Sequence, residues 1–128
     1  MAERKPRILI VDDASLVRLY YRQILEAGSF DVEEALNGLE ALEKLLTNPA
    51  DMLIVDVNMP QMDGITFLTT LRRQALPLSS IPALVISAEA GAQDIATARM
   101  AGANFYLVKP LGQDVLMQYA TMFCGLPP

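Results

Sequence analysis

The sequence predicts an α/β fold in which five β-strands alternate with five α-helices, as a single domain over residues 1–128. Two observations predict it: short runs of branched and apolar residues recur five times, and apolar residues at helical spacing follow each run. Alternation of this kind gives a parallel sheet with helices on both faces, joined by right-handed crossovers. A chain of 128 residues can bury one full core, and five units are too few for a closed eight-stranded barrel.

The first strand–helix unit begins with residues 8–11, an apolar run typical of a strand that is buried on both faces. A helix follows, which Ser15 can cap and Gly28 can end. Its apolar face is predicted from four residues at helical spacing, Leu16, Leu19, Tyr20 and Ile24.

The second unit has a strand of a different character. Residues 30–33 alternate apolar with charged side chains, which indicates a strand with one solvent-facing side or a place at the sheet edge. The Asn-Gly pair that follows could form a hairpin turn, but Leu39, Leu42 and Leu46 continue at helical spacing. We therefore predict that Asn37 caps a second helix.

The rest of the chain repeats the same alternation. Further strands are predicted at residues 52–55, 83–86 and 105–108. Helices are predicted from about residue 65 to 73, from about 92 to 101 with Gly102 at the end, and through Val115, Tyr119, Met122 and Phe123. Three methionines are expected to fill the core rather than to form a partner surface, Met100, Met117 and Met122.

The composition argues against several classes of protein. A formal net charge of −5 argues against nucleic-acid binding, which normally leaves a basic footprint. The absence of histidine excludes His-ligated metal sites, Ser-His-Asp triads and phosphohistidine carriers. A single cysteine, Cys124, allows no internal disulfide. No apolar run approaches the ~20 residues of a membrane span, so we expect a soluble cytoplasmic protein without a membrane partner.

Polar residues stand directly after four of the five predicted strands. They are Asp12 and Asp13, then Asp56, Ser87 and Lys109. In open α/β sheets, ligands bind outside the carboxyl ends of the strands, so these side chains are expected to converge. Carboxylates about 5 Å apart repel by roughly 3 kcal/mol per pair at an effective dielectric of about 20. Such a cluster must therefore hold a cation, raise a pKa, or do both.

The ligand atoms that these residues offer indicate which cation binds and which reaction they support. Oxygen donors without histidine or cysteine favour Mg²⁺ or Mn²⁺ over zinc. A cation, an ammonium group and a hydroxyl group around a carboxylate suit phosphoryl transfer, in which positioning and charge neutralisation do most of the catalysis. An aspartate can itself be the nucleophile and form an acyl phosphate.

Taken together, these segments resemble the receiver domain of bacterial response regulators, and in particular the CheY-like single-domain members. The matching segments are IVDD at 10–13, ALNGLEAL at 35–42, DVNMPQMDG at 56–64, SA at 87–88, GA at 102–103 and VKP at 108–110. The resemblance covers almost the whole chain. It implies a flavodoxin-like, three-layer (βα)5 sandwich with the strand order 2-1-3-4-5.

The resemblance implies a role for each acidic residue. Asp56 corresponds to the phosphoacceptor. Asp13 and Asp56, with the backbone carbonyl of Asn58, correspond to the Mg²⁺ ligands, and Asp12 would orient metal-bound water. The expected cofactor is therefore Mg²⁺.

The resemblance also implies a switch. Lys109 would pair with the phosphoryl oxygens and Ser87 would donate a hydrogen bond to one of them. Tyr106 matches an aromatic position that moves inward when Ser87 is drawn to the phosphoryl group. The face built by the fourth helix, the fifth strand and the fifth helix would then change shape. The peptide bond before Pro110 is commonly cis in this family.

The expected function is a monomeric phosphorylation switch with an unknown downstream target, in chemotaxis or another pathway. A sensor histidine kinase or a phosphotransfer protein would supply the phosphoryl group, and the chain would catalyse only its own phosphorylation and dephosphorylation. Because the chain ends at Pro128, it would either act alone or be the receiver part of a larger regulator. Two other functions stay open: an adaptor that binds independently of phosphorylation, and a phosphatase with an aspartyl nucleophile. The phosphatase would need a second aspartate where Asn58 stands.

Overall fold

Five parallel strands form one sheet in the order β2-β1-β3-β4-β5, as the sequence predicts. The computed structural model describes residues 4–126, so residues 1–3 and 127–128 of the predicted domain lie outside the described residues. The strands are β1 (Arg7–Val11), β2 (Asp31–Ala35), β3 (Met52–Val55), β4 (Ala83–Ser87) and β5 (Phe105–Val108). The alternating second strand is an edge strand, which confirms the interpretation of its pattern.

Five helices cover the two faces of the sheet. They are α1 (Ser15–Ala27), α2 (Gly38–Thr47), α3 (Gly64–Leu71), α4 (Ala92–Ala101) and α5 (Gln113–Phe123). One core lies between the sheet and α1 with α5, and the other between the sheet and α2, α3 and α4. Neighbouring residues of β1 point into opposite cores, Ile8 and Ile10 into the first and Leu9 and Val11 into the second. No helix within residues 4–126 combines the length and apolar character needed to span a bilayer.

Helix α1 differs from its prediction in two ways. Its N-cap is Ala14, which makes no side-chain capping bond, and Ser15 is the first helical residue. The backbone N–H of Ala14 donates to Asp12 Oδ1 at 2.9 Å, which fixes the turn before the helix but does not cap its first turn. The buried face is also rotated. Of the four predicted residues, Ile24 is buried, but Leu16, Leu19 and Tyr20 are exposed, and Arg18, Tyr21 and Leu25 complete the buried face.

The other predicted helix ends are confirmed. Asn37 caps α2 by accepting a hydrogen bond from the backbone N–H of Glu40 at 2.9 Å. Gly28 follows α1 as its C-cap. Gly102 ends α4 with a φ of 116°, a left-handed conformation that glycine adopts without a steric penalty.

The prediction for the methionines is wrong for two of the three. Met117 packs against the α1–α5 core, but Met122 is exposed and Met100 is 91% exposed. Met100 lies on α4, which buries only Ala98 and Ala101. Ile95 is half-buried, and the other side chains of this helix are exposed.

A half-buried arginine joins the ends of α3 and α4. Arg72 follows α3 and donates to the carbonyl oxygen of Gly102 through Nη2 at 2.7 Å and through Nε at 3.1 Å. Its Nη1 donates to the carbonyl of Ile81 at 2.7 Å, just before β4. The C-terminal end of α4 is therefore fixed to the body of the domain by a side chain that satisfies several carbonyl groups.

Candidate functional site

The candidate site lies at the carboxyl ends of four neighbouring strands. Asp12 follows β1, Asp56 follows β3, Ser87 ends β4 and Lys109 follows β5. The strand order reverses around β1, because β1 lies between β2 and β3. This is the position at which open α/β sheets bind ligands.

Three carboxylates meet there, as predicted. Oxygen atoms of Asp12, Asp13 and Asp56 all lie within 4.8 Å of one another. Asp12 and Asp56 are buried, with 2% and 8% of their surface exposed, whereas Asp13 is exposed. An all-oxygen cluster that is open on one side suits Mg²⁺, which retains several water ligands. The donor set therefore fits the cofactor that the sequence predicts.

Lys109 is the cation that faces this cluster. Its Nζ lies 3.3 Å from Asp12 Oδ2 and 3.5 Å from Asp56 Oδ1. Burial and the neighbouring Asp12 raise the pKa of Asp56 above its usual value, and Lys109 opposes that rise. One ammonium group therefore compensates part of the charge of the three carboxylates, and negative charge is left for a further cation.

The loop after β3 brings the backbone close to Asp56. The N–H of Gly64 donates to the carbonyl oxygen of Val57 at 2.9 Å, which closes the loop. Asp63 caps α3 by accepting from the N–H of Thr66 at 2.7 Å. Asn58 lies on an exposed part of this loop, two residues beyond Asp56. Its role as a carbonyl ligand stays a prediction.

Ser87 and Tyr106 contact the same peptide segment. Ser87 is fully buried, and its Oγ accepts a hydrogen bond from the N–H of Glu89 at 3.1 Å. Tyr106 is half-buried on β5, and its hydroxyl donates to the carbonyl oxygen of Glu89 at 2.7 Å. The backbone of Glu89 therefore joins the two residues predicted to act as a switch. The Lys109–Pro110 peptide bond is cis, as expected.

The sequence interpretation missed two residues behind the acidic cluster. Arg18, on α1, donates through Nη1 to the backbone carbonyl oxygen of Asp12 at 2.6 Å and through Nε to Glu34 Oε1 at 2.7 Å. Burial opposes ionisation of Glu34, but hydrogen bonds from Arg22 and Arg18 hold its pKa below the usual value. A signal was present in the sequence, since charged residues in β2 require charged partners when one side of the strand is covered.

The model of the response regulator receiver domain family matches residues 8–121. The chain belongs to this family. It is 38% identical over 105 residues to the transcriptional regulatory protein PrrA of Mycobacterium tuberculosis and to that of Mycobacterium bovis. The match covers 82% of this chain but 44% of each PrrA, so the chain spans less than half the length of these curated relatives.

Solved receiver structures have the same fold. The chemotaxis protein CheY4 of Vibrio cholerae superimposes with a TM-score of 0.87 at 30% identity, over 94% of this chain and 99% of that one. The receiver domain of the Francisella response regulator 1452 gives a TM-score of 0.87 at 28% identity, over 94% and 98% of the two chains. The predicted family and the CheY-like fold are therefore confirmed. Receiver domains are signalling domains of two-component systems and are not generally classed as enzymes.

Proposed function

We propose that this receiver domain accepts a phosphoryl group on Asp56 from a phosphohistidine of a sensor histidine kinase or a phosphotransfer protein. A carboxylate oxygen of Asp56 attacks the phosphorus, and the phosphorus–nitrogen bond to the donor imidazole breaks with its electron pair going to the nitrogen, which takes up a proton from solvent as the imidazole leaves. The convergence of Asp12, Asp13 and Asp56 beside Lys109 is the observation that supports this proposal.

The acidic residues have different proposed roles in binding Mg²⁺. Asp13 and Asp56, with the carbonyl of Asn58, would hold Mg²⁺, and Asp12 would orient water around it. When bound, Mg²⁺ neutralises charge on the phosphoryl oxygens. Asp56 is buried next to Asp12, with 8% of its surface exposed, so little solvent reaches its carboxylate.

The response to phosphorylation would pass through three residues. The new phosphoryl group adds negative charge beside Lys109 and offers acceptors to the Ser87 hydroxyl. Because the Ser87 Oγ now accepts from Glu89, a shift of Ser87 would change the peptide that Tyr106 also binds. The face formed by α4, β5 and α5 would then bind its target differently, as a two-state equilibrium biased by local charge.

Labelling with acetyl phosphate tests the proposal directly. In the presence of Mg²⁺, intact-mass spectrometry should show one added phosphoryl group, and peptide mapping should place it on Asp56. Chelation with EDTA should prevent the addition, because the carboxylate cluster then repels the incoming phosphate. A phosphoryl group on another residue, or labelling that is equal in EDTA, would reject the assignment.

Replacing the site lysine should separate acceptance of phosphate from switching. We expect Lys109→Met to be labelled about a hundredfold more slowly, since removing one preorganised partner of a developing charge typically has an effect of that order. Amide NMR shifts of α4 and β5 should barely respond when beryllofluoride, a phosphoryl mimic, is added. Lys5→Met, a change at an exposed lysine outside the site, should behave as the wild type. Wild-type shift changes in Lys109→Met would contradict this role.

The wider biological assignments stay proposals. Single-domain action in chemotaxis, a monomeric state and a cytoplasmic location are consistent with the CheY-like fold. Service as the receiver part of a larger regulator is consistent with the relation to PrrA. In either setting, the target would be a protein that reads the α4–β5–α5 face.

A further inference from the structure

Arg18 is a charged residue on α1 that is buried against the sheet, with 9% of its surface exposed. Its guanidinium group lies between the carboxylate of Glu34 on β2 and the backbone carbonyl of Asp12 after β1. A charge taken out of water costs free energy unless it is paired and hydrogen-bonded, and here both conditions are met. Arg18 therefore joins three segments at the point where the chain leaves the sheet to form the acidic cluster.

Every polar group of Asp12 has a partner. Its N–H donates to the carbonyl of Ala35 at 3.1 Å. Its Oδ1 accepts from Ala14 N–H at 2.9 Å, and its Oδ2 lies 3.3 Å from Lys109 Nζ. Arg18 supplies the remaining bond, to the carbonyl oxygen at 2.6 Å. That carbonyl belongs to the peptide that joins Asp12 to Asp13, so the bond sets the orientation of the backbone on which both carboxylates stand.

The charge of Arg18 is balanced where it lies. Glu34 also pairs with Arg22, and Arg22 pairs in turn with Glu26 at 3.3 Å. Two arginines and two glutamates therefore form a network without net charge. A balanced network exerts little field on the neighbouring carboxylates, so the contact of Arg18 with Asp12 acts mainly through its fixed geometry.

We propose that Arg18 is a positioning residue for the divalent cation: it holds the Asp12–Asp13 peptide in the orientation that places both carboxylates for Mg²⁺. The inference rests on the proposed function, because it takes Asp13 as a ligand. Groups that orient metal ligands from behind typically contribute about 10- to 100-fold to metal affinity. Arg18 would belong to that class.

Mg²⁺ titration by isothermal calorimetry tests the role without phosphorylation. Arg18→Met keeps the length of the buried stem and removes both hydrogen bonds, and we expect it to weaken Mg²⁺ binding about tenfold or more. Arg22→Met is the matched control, because it removes the other arginine on Glu34 and leaves the contact with Asp12 intact. We expect its Mg²⁺ affinity to stay within about twofold of the wild type, well below the usual effect of ligand positioning. Both are measured below the unfolding temperature of each variant.

Arg18→Lys distinguishes geometry from charge and provides a second measurement if Arg18→Met does not fold. Lysine keeps the positive charge but lacks the planar guanidinium group that bonds to Glu34 and Asp12 together. The Mg²⁺ affinity of Arg18→Lys should therefore fall nearly as far as that of Arg18→Met. Three results would each overturn the proposal: unchanged affinity in Arg18→Met, equal weakening in Arg22→Met, or full affinity in Arg18→Lys.

Labelling at saturating Mg²⁺ adds a readout that a loss of fold would not mimic. If Arg18 positions the ligands, excess Mg²⁺ should restore much of the labelling rate of Arg18→Met, and the half-saturating Mg²⁺ concentration should rise by the same factor as the dissociation constant. A rate that excess Mg²⁺ does not restore would count against positioning. Failure of the proposed function gives a different result. A wild-type chain that binds no Mg²⁺ would overturn both the proposed function and the role of Arg18. Normal Mg²⁺ binding by the wild type and by the Arg18 variants would overturn only the role of Arg18.

Discussion

Asp56→Asn is expected to reduce labelling by acetyl phosphate to background and, at the same time, to stabilise the fold at neutral pH. The amide cannot form the acyl phosphate, so the loss of labelling should be complete. The gain in stability has a different cause. Burial disfavours the ionised carboxylate of Asp56, and Asp12 repels it, whereas Lys109 acts in the opposite direction. Two carboxylates about 5 Å apart repel by roughly 3 kcal/mol at an effective dielectric of about 20. We expect a gain of about 1 kcal/mol, which would raise the Tm of a domain of this size by roughly 4 °C.

The pH dependence of that gain follows from the direction of the pKa shift. Burial and the neighbouring Asp12 raise the pKa of Asp56 in the folded state above its usual value, so the folded chain holds this proton more tightly than the unfolded chain does. The destabilising effect of Asp56 is absent at pH values below the pKa of this group in the unfolded chain. It grows as the pH rises and is complete once the pH exceeds the pKa of the group in the folded chain. Thermal unfolding without Mg²⁺ should therefore show wild type and Asp56→Asn converging in acid and separating towards neutral pH.

Two controls make this result specific. Asp31→Asn changes an exposed carboxyl on the edge strand and should leave both labelling and Tm close to the wild type. Added Mg²⁺ should stabilise the wild type more than Asp56→Asn, which narrows the difference at neutral pH. An Asp56→Asn chain that still labels, or one that is less stable than the wild type at pH 7, would contradict the assignment.

Gly64→Ala is expected to be strongly destabilising and to disturb Asp56, the proposed phosphoacceptor. A Cβ at this position would lie 2.3 Å from the carbonyl oxygen of Asp56 and 3.1 Å from its carbonyl carbon. These are backbone atoms, which cannot move aside as a flexible side chain can. We expect a loss of about 3 kcal/mol in the free energy of unfolding, at the upper end for overpacking. Urea denaturation measures it, and labelling of the folded fraction should also slow.

Gly112→Ala is the matched control for that substitution. A Cβ at Gly112 meets nothing within 4 Å, although the residue also stands at the start of a helix. Its effect should stay within about 1 kcal/mol, the usual range for an exposed helix cap. Equal stability of Gly64→Ala and Gly112→Ala would show that the loop after β3 accepts a side chain beside Asp56.

The sheet and the acidic site could be predicted because both depend on short-range patterns. Each buried strand is a continuous apolar run, and a polar residue directly after such a run must lie at the carboxyl end of the sheet. Asp12, Asp56 and Lys109 converge for this reason. Their mutual distances depended on the loops between them and could not be derived from spacing alone.

The buried face of α1 could not be predicted in the same way. Apolar periodicity selects Leu16, Leu19, Tyr20 and Ile24, and only Ile24 is buried. The helix is rotated instead to bury Arg18, whose partners Glu34 and the carbonyl of Asp12 come from other segments of the chain. A hydropathy pattern treats arginine as a surface residue and contains no information about distant partners, so tertiary pairing overrode the local signal.

Helix α4 buries little apolar surface, so displacing it costs little free energy. This helix buries two alanine side chains, whereas α3 buries Phe67, Leu68 and Leu71. Burial of a methyl or methylene group stabilises the fold by about 0.8 kcal/mol. Moving α4 away from the sheet would therefore cost only about 2 kcal/mol of hydrophobic free energy from these two side chains, and moving α3 would cost several times more. Because Arg72 holds the far end of α4 at Gly102, the least costly displacement is a swing of its opposite end, the end nearest Ser87.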